Sequence, residues 1–177
     1  MGWKNVKEHY KIEHIVTLEK GNICIGSAYC RNLINILPSG EVRWGMLGPS
    51  LNDDLERYFS EMTEDKDKLL ELMNKPDTFK HSLPVYTYSG GEIIEKQCEE
   101  YDWPNCTHDG ELMYENVFFK DKLDAVKEAI RNAEACLRMT RENIKRQEED
   151  LQKTRKFYEQ EINDLEKLKL ELIKGKI

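Results

Sequence analysis

The sequence predicts an α+β protein, in which a small antiparallel β-sheet/helix body precedes a long C-terminal coiled-coil helix. Three observations lead to this prediction. The stretch from Asp121 to Lys174 of the 177-residue chain contains neither Pro nor Gly. Apolar side chains recur every seven residues along it, which is typical of a coiled coil. Before it, short β-rich runs alternate with turn residues and with segments of helical periodicity. We therefore predict an acidic α+β body at residues 1–119 and a long helix for coiled-coil oligomerisation at residues 120–177.

The first part of the body is predicted to be an antiparallel meander that follows a short leading helix at residues 3–12. Turn residues such as Lys20-Gly21 and Pro38-Ser39-Gly40 separate the strand-like runs. Gly and Pro at these places favour tight reversals of the chain. The predicted strands are residues 14–18, 23–25, 33–37 and 41–44.

The second part of the body is predicted to contain two helices and a β-hairpin. Apolar residues recur at helical spacing over residues 51–62 and again over 64–74, where Pro76 ends the pattern. Asn52 or Ser50 could cap the first helix. Two β-rich runs flank Gly90-Gly91, which predicts a hairpin. An irregular loop at residues 98–110 and a short run at 112–119 then lead into the long helix.

The long helix carries a heptad seam, which we define as eight apolar or aromatic residues spaced seven apart. Residues three positions further on are apolar at the two ends of the helix and polar in its middle. A helix of this length must bury such a stripe to be stable. The stripe could pair with a second copy, lie along the body of its own chain, or bind a partner's helix. We favour self-association as a dimer or higher oligomer. The seam comprises Leu123, Ile130, Leu137, Ile144, Leu151, Tyr158, Leu165 and Leu172.

Charge is unevenly distributed along the chain. The formal net charge is −7, but residues 50–115 carry 6 basic and 17 acidic side chains, whereas residues 120–177 carry 15 and 13. An acidic body repels phosphate, so we expect no direct nucleic-acid binding by it. The negative electrostatic field of an acidic surface could instead guide the protein to a basic channel in another protein. The candidate partner-binding acids are Asp53, Asp54, Glu61 and Glu64.

The cysteines and histidines offer a metal or thiol site without the usual spacing. Cys98, Cys106 and His108, with His81 or Asp109 as a fourth ligand, are the best zinc candidates. They lack the close Cys-x-x-Cys pair of structural zinc sites, so we predict no metal and no cofactor. No nucleophile signature surrounds either cysteine, so we predict no catalytic residues and a protein that is not an enzyme. Five cysteines without an apolar secretory segment favour the cytoplasm, and no apolar run is long enough to span a membrane.

Aromatic residues are concentrated in the segment that precedes the long helix. Trp103, Tyr114, Phe118 and Phe119 lie there among turn residues. Exposed aromatics would form a binding hot spot for a partner. Buried ones would instead wedge the long helix against the body. We favour the structural interpretation and keep Trp103 and Tyr114 as candidates for partner binding.

Two stretches, GWKNVKEHYKIEHIVTLEKGNICIGS at residues 2–27 and WPNCTHDGELMYENVFF at 103–119, resemble small accessory proteins of tailed bacteriophages and prophages. LPVYTY at residues 83–88 and the charged terminal helix are similar too. The resemblance implies a phage accessory protein in the cytoplasm of a bacterial host. It also implies an activity of binding and blocking host machinery, including defence systems.

Together these observations predict a non-enzymatic interaction protein. It would self-associate through its C-terminal helix and bind and inhibit a host protein or protein–nucleic-acid complex. One alternative is a structural or assembly component of a phage particle, in which the long helix spaces the subunits. A zinc- or thiol-dependent enzyme is the second alternative.

Overall fold

A computed structural model describes residues 1–45, 47–49 and 52–175 of the chain. The chain divides into two compact units, Met1–Lys127 and Glu128–Ile177, which are described separately. The first unit contains a four-stranded antiparallel sheet with helices, and the chain ends in a long helix. The predicted α+β class is confirmed. Ser50, one of the two predicted caps, lies outside the described residues.

The chain begins with helix α1 (Trp3–His9), which is followed by a four-stranded meander. Its strands are β1 (Ile15–Glu19), β2 (Asn22–Gly26), β3 (Ile34–Ile36) and β4 (Val42–Trp44), and each is antiparallel to the next. The β1–β2 reversal at Lys20-Gly21 has positive φ at both residues, +50° and +81°, as a two-residue hairpin turn requires. The predicted meander and the predicted leading helix are confirmed.

Helices α2 (Asp53–Glu64) and α3 (Lys66–Asn74) follow the sheet. The side-chain oxygen of Asn52 accepts a hydrogen bond from the backbone N–H of Leu55 at 3.0 Å, so Asn52 caps α2 as the sequence predicts. Asp65 accepts from the N–H of Lys68 at 3.0 Å and caps α3 in the same way. Both helices turn their apolar faces inward, where Tyr58 and Leu69 are fully buried.

The main core of the body forms where the sheet meets the three short helices. Isoleucines and valines of β1 to β3 pack there against apolar residues of α1, α2 and α3. Removing this β-branched surface from water is the main source of stability for the body. Side chains with no exposed area in this cluster include Val6, Val16, Ile23, Ile25, Ile34, Ile36, Tyr58, Met62 and Leu69.

A hairpin of β5 (Leu83–Ser89) and β6 (Glu92–Cys98) turns at Gly90-Gly91, as predicted. A second, smaller core lies beside it and contains Val85, Cys98, Met113 and Phe118. The segment predicted to be an irregular loop contains strand β7 (Asn105–Cys106), which pairs with β8 (Leu112–Met113). The prediction missed this pairing because two-residue strands have no periodicity that a sequence pattern can reveal.

Gly110 allows the β7–β8 reversal to approach the sheet closely. Its φ is +80°, and a Cβ atom there would lie 2.7 Å from Cγ of Leu18. The carbonyl of Gly110 accepts a hydrogen bond from the N–H of Leu18 at 2.8 Å. Only glycine meets both the conformational and the steric requirement, which makes this reversal part of the β1 edge.

Helix α4 (Lys122–Ile173) is 52 residues long. At 1.5 Å per residue it extends about 80 Å. The side chain of Asp121 accepts from the N–H of Leu123 at 2.7 Å near its beginning. Gly175 follows its end with φ +65°, as the sequence predicts for a helix C-terminus. Among the described helices, none is both long and apolar enough to cross a membrane.

Candidate functional site

The heptad seam forms a continuous exposed stripe on α4. All eight seam residues are exposed, with between 51% and 69% of their surface accessible. Because they are spaced seven residues apart, they lie on one side of the helix. Their direction rotates slightly around the helix axis from one heptad to the next, and supercoiling of two helices compensates for this rotation. Large exposed apolar surfaces mark interaction sites, so this stripe is the strongest indication in the molecule of a binding partner.

The residues flanking the seam extend the stripe at the C-terminal end of α4. Phe157 and Ile162 lie next to the seam and have accessible fractions of 65% and 39%. Leu168, three positions after the seam residue Leu165, is 65% exposed. Ion pairs between residues three apart, such as Lys153–Asp150 at 3.0 Å and Lys167–Asp164 at 3.1 Å, support the helix itself.

The four candidate partner-binding acids lie at opposite ends of α2. Asp53 and Asp54 occupy its first turn, where carboxylates stabilise the helix through its macrodipole. Glu61 and Glu64 lie near its C-terminus. Arg57 neutralises part of this charge, because it lies 3.9 Å from Asp54 and 3.3 Å from Glu61. The structure therefore gives Asp53 and Asp54 a local structural role that Glu64 lacks.

Trp103 and Tyr114 line one open groove of about 550 Å³ on the body. Pro104 and Tyr29 contribute to the same groove. The hydroxyl of Tyr114 donates to the carbonyl of Ala28 at 2.8 Å, which ties the two walls together. The sequence prediction missed Tyr29, whose side chain is fully exposed at 100%. An aromatic residue in the short segment between β2 and β3 was the available signal.

The other two aromatics of this segment have structural positions. Phe118 is buried in the second core, 1% exposed. Phe119 forms a reciprocal backbone bridge with Tyr86 of β5, with both N–H···O distances 2.8 Å. These contacts fix the segment before α4 to the hairpin. They favour the structural interpretation for Phe118 and Phe119, whereas Trp103 and Tyr114 remain available at the groove.

The candidate zinc ligands have separate environments. Cys98 belongs to the second core and Cys106 to the main core. The ring of His108 stacks on Phe79 with centroids 3.7 Å apart, and its Nε2 donates to the carbonyl of His81 at 3.1 Å. Within the described residues, no group of three or more His, Cys, Asp or Glu side chains is arranged to hold a metal ion.

Both candidate thiols are held in the protonated form. Burial raises the pKa of Cys106 to about 12, and its Sγ donates a hydrogen bond to the carbonyl of Val16 at 3.1 Å. Burial also raises the pKa of Cys98. A nucleophilic or metal-binding cysteine must reach the thiolate near neutral pH, and these environments oppose that.

A cleft of about 460 Å³ beside α1 contains the most buried charge of the body. Lys4 is only 8% exposed and donates to the carboxylate of Glu99 and to the carbonyl of Thr78, both at 2.9 Å. Its ammonium group also lies 5.1 Å from the centre of the Phe79 ring. The sequence prediction missed this site, because Lys4 and Glu99 are 95 residues apart.

The ion pair in this cleft shifts both pKa values. Burial alone would lower the pKa of Lys4, but hydrogen bonds with Glu99 and Glu8 outweigh it and raise that pKa. Burial alone would raise the pKa of Glu99, but hydrogen bonds from Lys4 and from the N–H of Lys80 lower it. Each group therefore stays charged near neutral pH, and the pair serves to lock α1 to the segment that follows β6.

Comparisons of the chain with protein-family models, with curated proteins and with solved structures found no match.

Proposed function

We propose that the protein is a non-enzymatic interaction protein of phage type, which self-associates through α4 and uses its body to bind a host protein or nucleoprotein complex. The observation that carries the proposal is the exposed heptad seam, eight apolar or aromatic side chains on one side of a helix about 80 Å long.

Self-association follows from the cost of leaving this seam in water. An isolated helix gains little from intrinsic propensity, and most helical stability in proteins comes from packing of an apolar face. Burying half-exposed leucines and isoleucines contributes on the order of 1 kcal/mol for each side chain. Eight such residues on each chain supply enough driving force to pair two copies. A second copy satisfies this need without any other component.

The body is the part that we assign to the heterologous partner. Its excess of carboxylates is suited to a basic surface, such as the nucleic-acid channel of a bacterial defence complex. Binding there would inhibit the host system by occupying the channel. The groove lined by Trp103 and Tyr114 adds rigid aromatic surface of the kind that anchors protein interfaces. This function places the protein in the cytoplasm of the bacterial host.

The alternative functions make different demands on the chain. A thiol enzyme would need an accessible thiolate, which the raised pKa values of Cys98 and Cys106 oppose. A component of the phage particle would use the same seam to space subunits. Detection of the protein in purified virions would support that role, whereas its presence only as free protein in lysates would support the proposed one.

Two measurements test the proposal. Light scattering of the intact protein over a range of concentrations should give a mass above that of the monomer. A monomer at every concentration would contradict self-association. Affinity capture from the bacterial host should retain a defined partner with the wild type and lose it after Glu61→Lys and Glu64→Lys.

These two substitutions suit the test because the C-terminal turn of a helix favours cations, so α2 should remain folded. Reversal of Asp53 and Asp54 would instead remove favourable charges from its first turn. Glu92→Lys and Glu95→Lys on the β5–β6 hairpin provide a control of equal charge change on exposed residues. Equal capture by both double variants would reject the acidic end of α2 as the binding surface.

A further inference from the structure

The charges beside the heptad seam indicate how two copies of α4 would pair. We name the seam residues position a, the residues three further on position d, those four further on position e, and those just before the seam position g. Charges at e and g face the partner helix in a coiled coil and select its orientation. This inference rests on the proposed self-association and adds its geometry.

Seven charged residues at e and g make no ion pair within the part of the chain that the structure describes. Their neighbours at g, Asp150 and Asp164, are already paired with lysines three residues further along the same helix. The unpaired charges are therefore free to meet a second copy. They are Lys122, Glu134, Arg141, Glu148, Arg155, Lys169 and Glu171.

An antiparallel alignment pairs six of these seven charges, and the seventh, Lys169, lies opposite residue 120, before the second helix begins. When Ile144 lies opposite Gln147 of the second copy, Arg141 faces Glu148 of that copy across the e positions. In the same alignment Glu134 at e faces Arg155 at e of the second copy. Lys122 at g likewise faces Glu171 at g of that copy. Each pair occurs twice because the two helices are related by a twofold axis. No like charges at e or g face each other within Lys122–Ile173 in this alignment.

The same alignment also gives the polar d residues in the middle of α4 suitable packing partners. In antiparallel pairing each a residue faces a d residue, so every large seam side chain meets a small or polar one in the middle of the helix. Tyr158 faces Ala133, and Leu137 faces Thr154. At the ends, where d is apolar, Leu123 faces Leu168. Alternation of large and small side chains is how helical cores fill space without voids.

A parallel alignment in register is inferior on both counts. It places Glu161 opposite its own copy at a d position inside the seam, where two carboxylates repel each other, whereas the antiparallel alignment sets Glu161 against Ile130. It also sets Lys122 against Lys127 of the other chain. Its favourable pairs would have to use Asp150 and Asp164, which already have partners.

We propose that two copies of α4 form an antiparallel two-stranded coiled coil in which Ile144 lies opposite Gln147. The helices then overlap along about 70 Å, and their N-terminal ends lie at opposite ends of the pair. The connection from each α4 to the body of its own chain therefore lies at a different end of the pair.

Cysteine cross-linking tests the orientation in the intact protein. The exposed thiol of α4 is first removed by Cys136→Ser, and Leu137→Cys and Thr154→Cys are then introduced singly. In the antiparallel pair, two copies of Leu137→Cys hold their thiols about 25 Å apart and cannot be bridged. A mixture of the two variants should instead give the mixed disulfide, identified by mass spectrometry.

The outcomes separate this inference from the proposed function. Formation of the mixed product, with no product from either variant alone, would support the alignment. A covalent dimer of Leu137→Cys alone would establish parallel pairing and overturn the inference, while self-association would stand. No product from a protein that light scattering shows to be a dimer would overturn the register. A monomeric wild type would overturn both proposals.

A charge exchange gives a second, independent measurement. Arg141→Glu should raise the dissociation constant of the dimer about tenfold, because two favourable pairs become two repulsive ones. Adding Glu148→Arg should restore the wild-type value. In parallel pairing Arg141 faces Cys136, so the exchange would bring no recovery. Arg138→Glu, which lies away from the seam, is the control and should leave the constant unchanged.

Discussion

Leu151 and Leu170 provide a matched test of the heptad seam. Both are leucines of α4, and both are 53% exposed. Leu151 belongs to the seam, whereas Leu170 lies five positions after a seam residue and faces away from it. Alanine has a higher helix propensity than leucine, so neither Leu151→Ala nor Leu170→Ala should weaken the helix itself. A difference between the two variants therefore measures what the seam contacts.

The expected effect of Leu151→Ala follows from its exposure. Full burial of a leucine side chain contributes roughly 1.5–3 kcal/mol. About half of that burial is still to be gained at Leu151, and it is gained twice in a dimer. Alanine retains part of the side chain, so the loss should be about 1–2 kcal/mol for each dimer. The dissociation constant should then rise about 5- to 30-fold.

Sedimentation equilibrium of the two variants and the wild type measures this constant directly. Far-UV circular dichroism at high protein concentration verifies that both variants keep the helix. We expect weaker association for Leu151→Ala and a wild-type constant for Leu170→Ala. Equal changes in the two variants would show that the seam is not the contact surface, and an unchanged constant for Leu151→Ala would refute the reasoning.

Three further predictions concern the body. At pH 8 a maleimide should label the exposed Cys136 rapidly and Cys106 only after denaturation, because burial raises the pKa of Cys106 to about 12. Mass spectrometry of labelled peptides measures the order of modification. Early labelling of Cys106 would contradict its burial. Gly110→Ala should lower the free energy of unfolding in urea by about 1–3 kcal/mol because of its positive φ and the close approach of the sheet. Gly91→Ala, where a new Cβ would meet no heavy atom within 4 Å, should not do so. The pKa of Glu99 is lower in the folded protein than the value near 4.5 of the unfolded chain, so its charged form stabilises the fold above pH 4.5, and this stabilisation is lost as the pH falls through the folded pKa. Glu99→Gln should therefore make the free energy of unfolding in urea vary less with pH over that acidic range. An unchanged pH dependence of this free energy would exclude the ion pair as the source of the stabilisation.

Elements governed by local patterns could be predicted from the sequence. The hairpin at Gly90-Gly91, the cap at Asn52 and the extent of α4 each depend on residues within a few positions of one another. Turn chemistry, capping and periodicity act over such distances. The β7–β8 pairing was missed because each of its strands has only two residues, which is too short for a sequence pattern to reveal.

The candidate sites divide in the same way. The heptad seam was visible in the sequence, because its members share one helix and one period. The environments of Cys98 and Cys106 were not, because two cysteines eight residues apart fall into different cores. The position of Tyr29 beside Trp103 was equally hidden, since the two residues lie in loops that are far apart in the sequence and meet only in the folded body.

The sequence by itself determined the α+β class, the long helix and the apolar stripe along it, because helical periodicity is a local property of the chain. Only the tertiary structure decided which charges are already satisfied. It pairs Lys4 with Glu99 across 95 residues of sequence, and within the described residues it gives Arg141 and Glu148 on α4 no ion-pair partner. Ion pairs depend on distances of a few ångströms between side chains, and those distances exist only once the chain is folded.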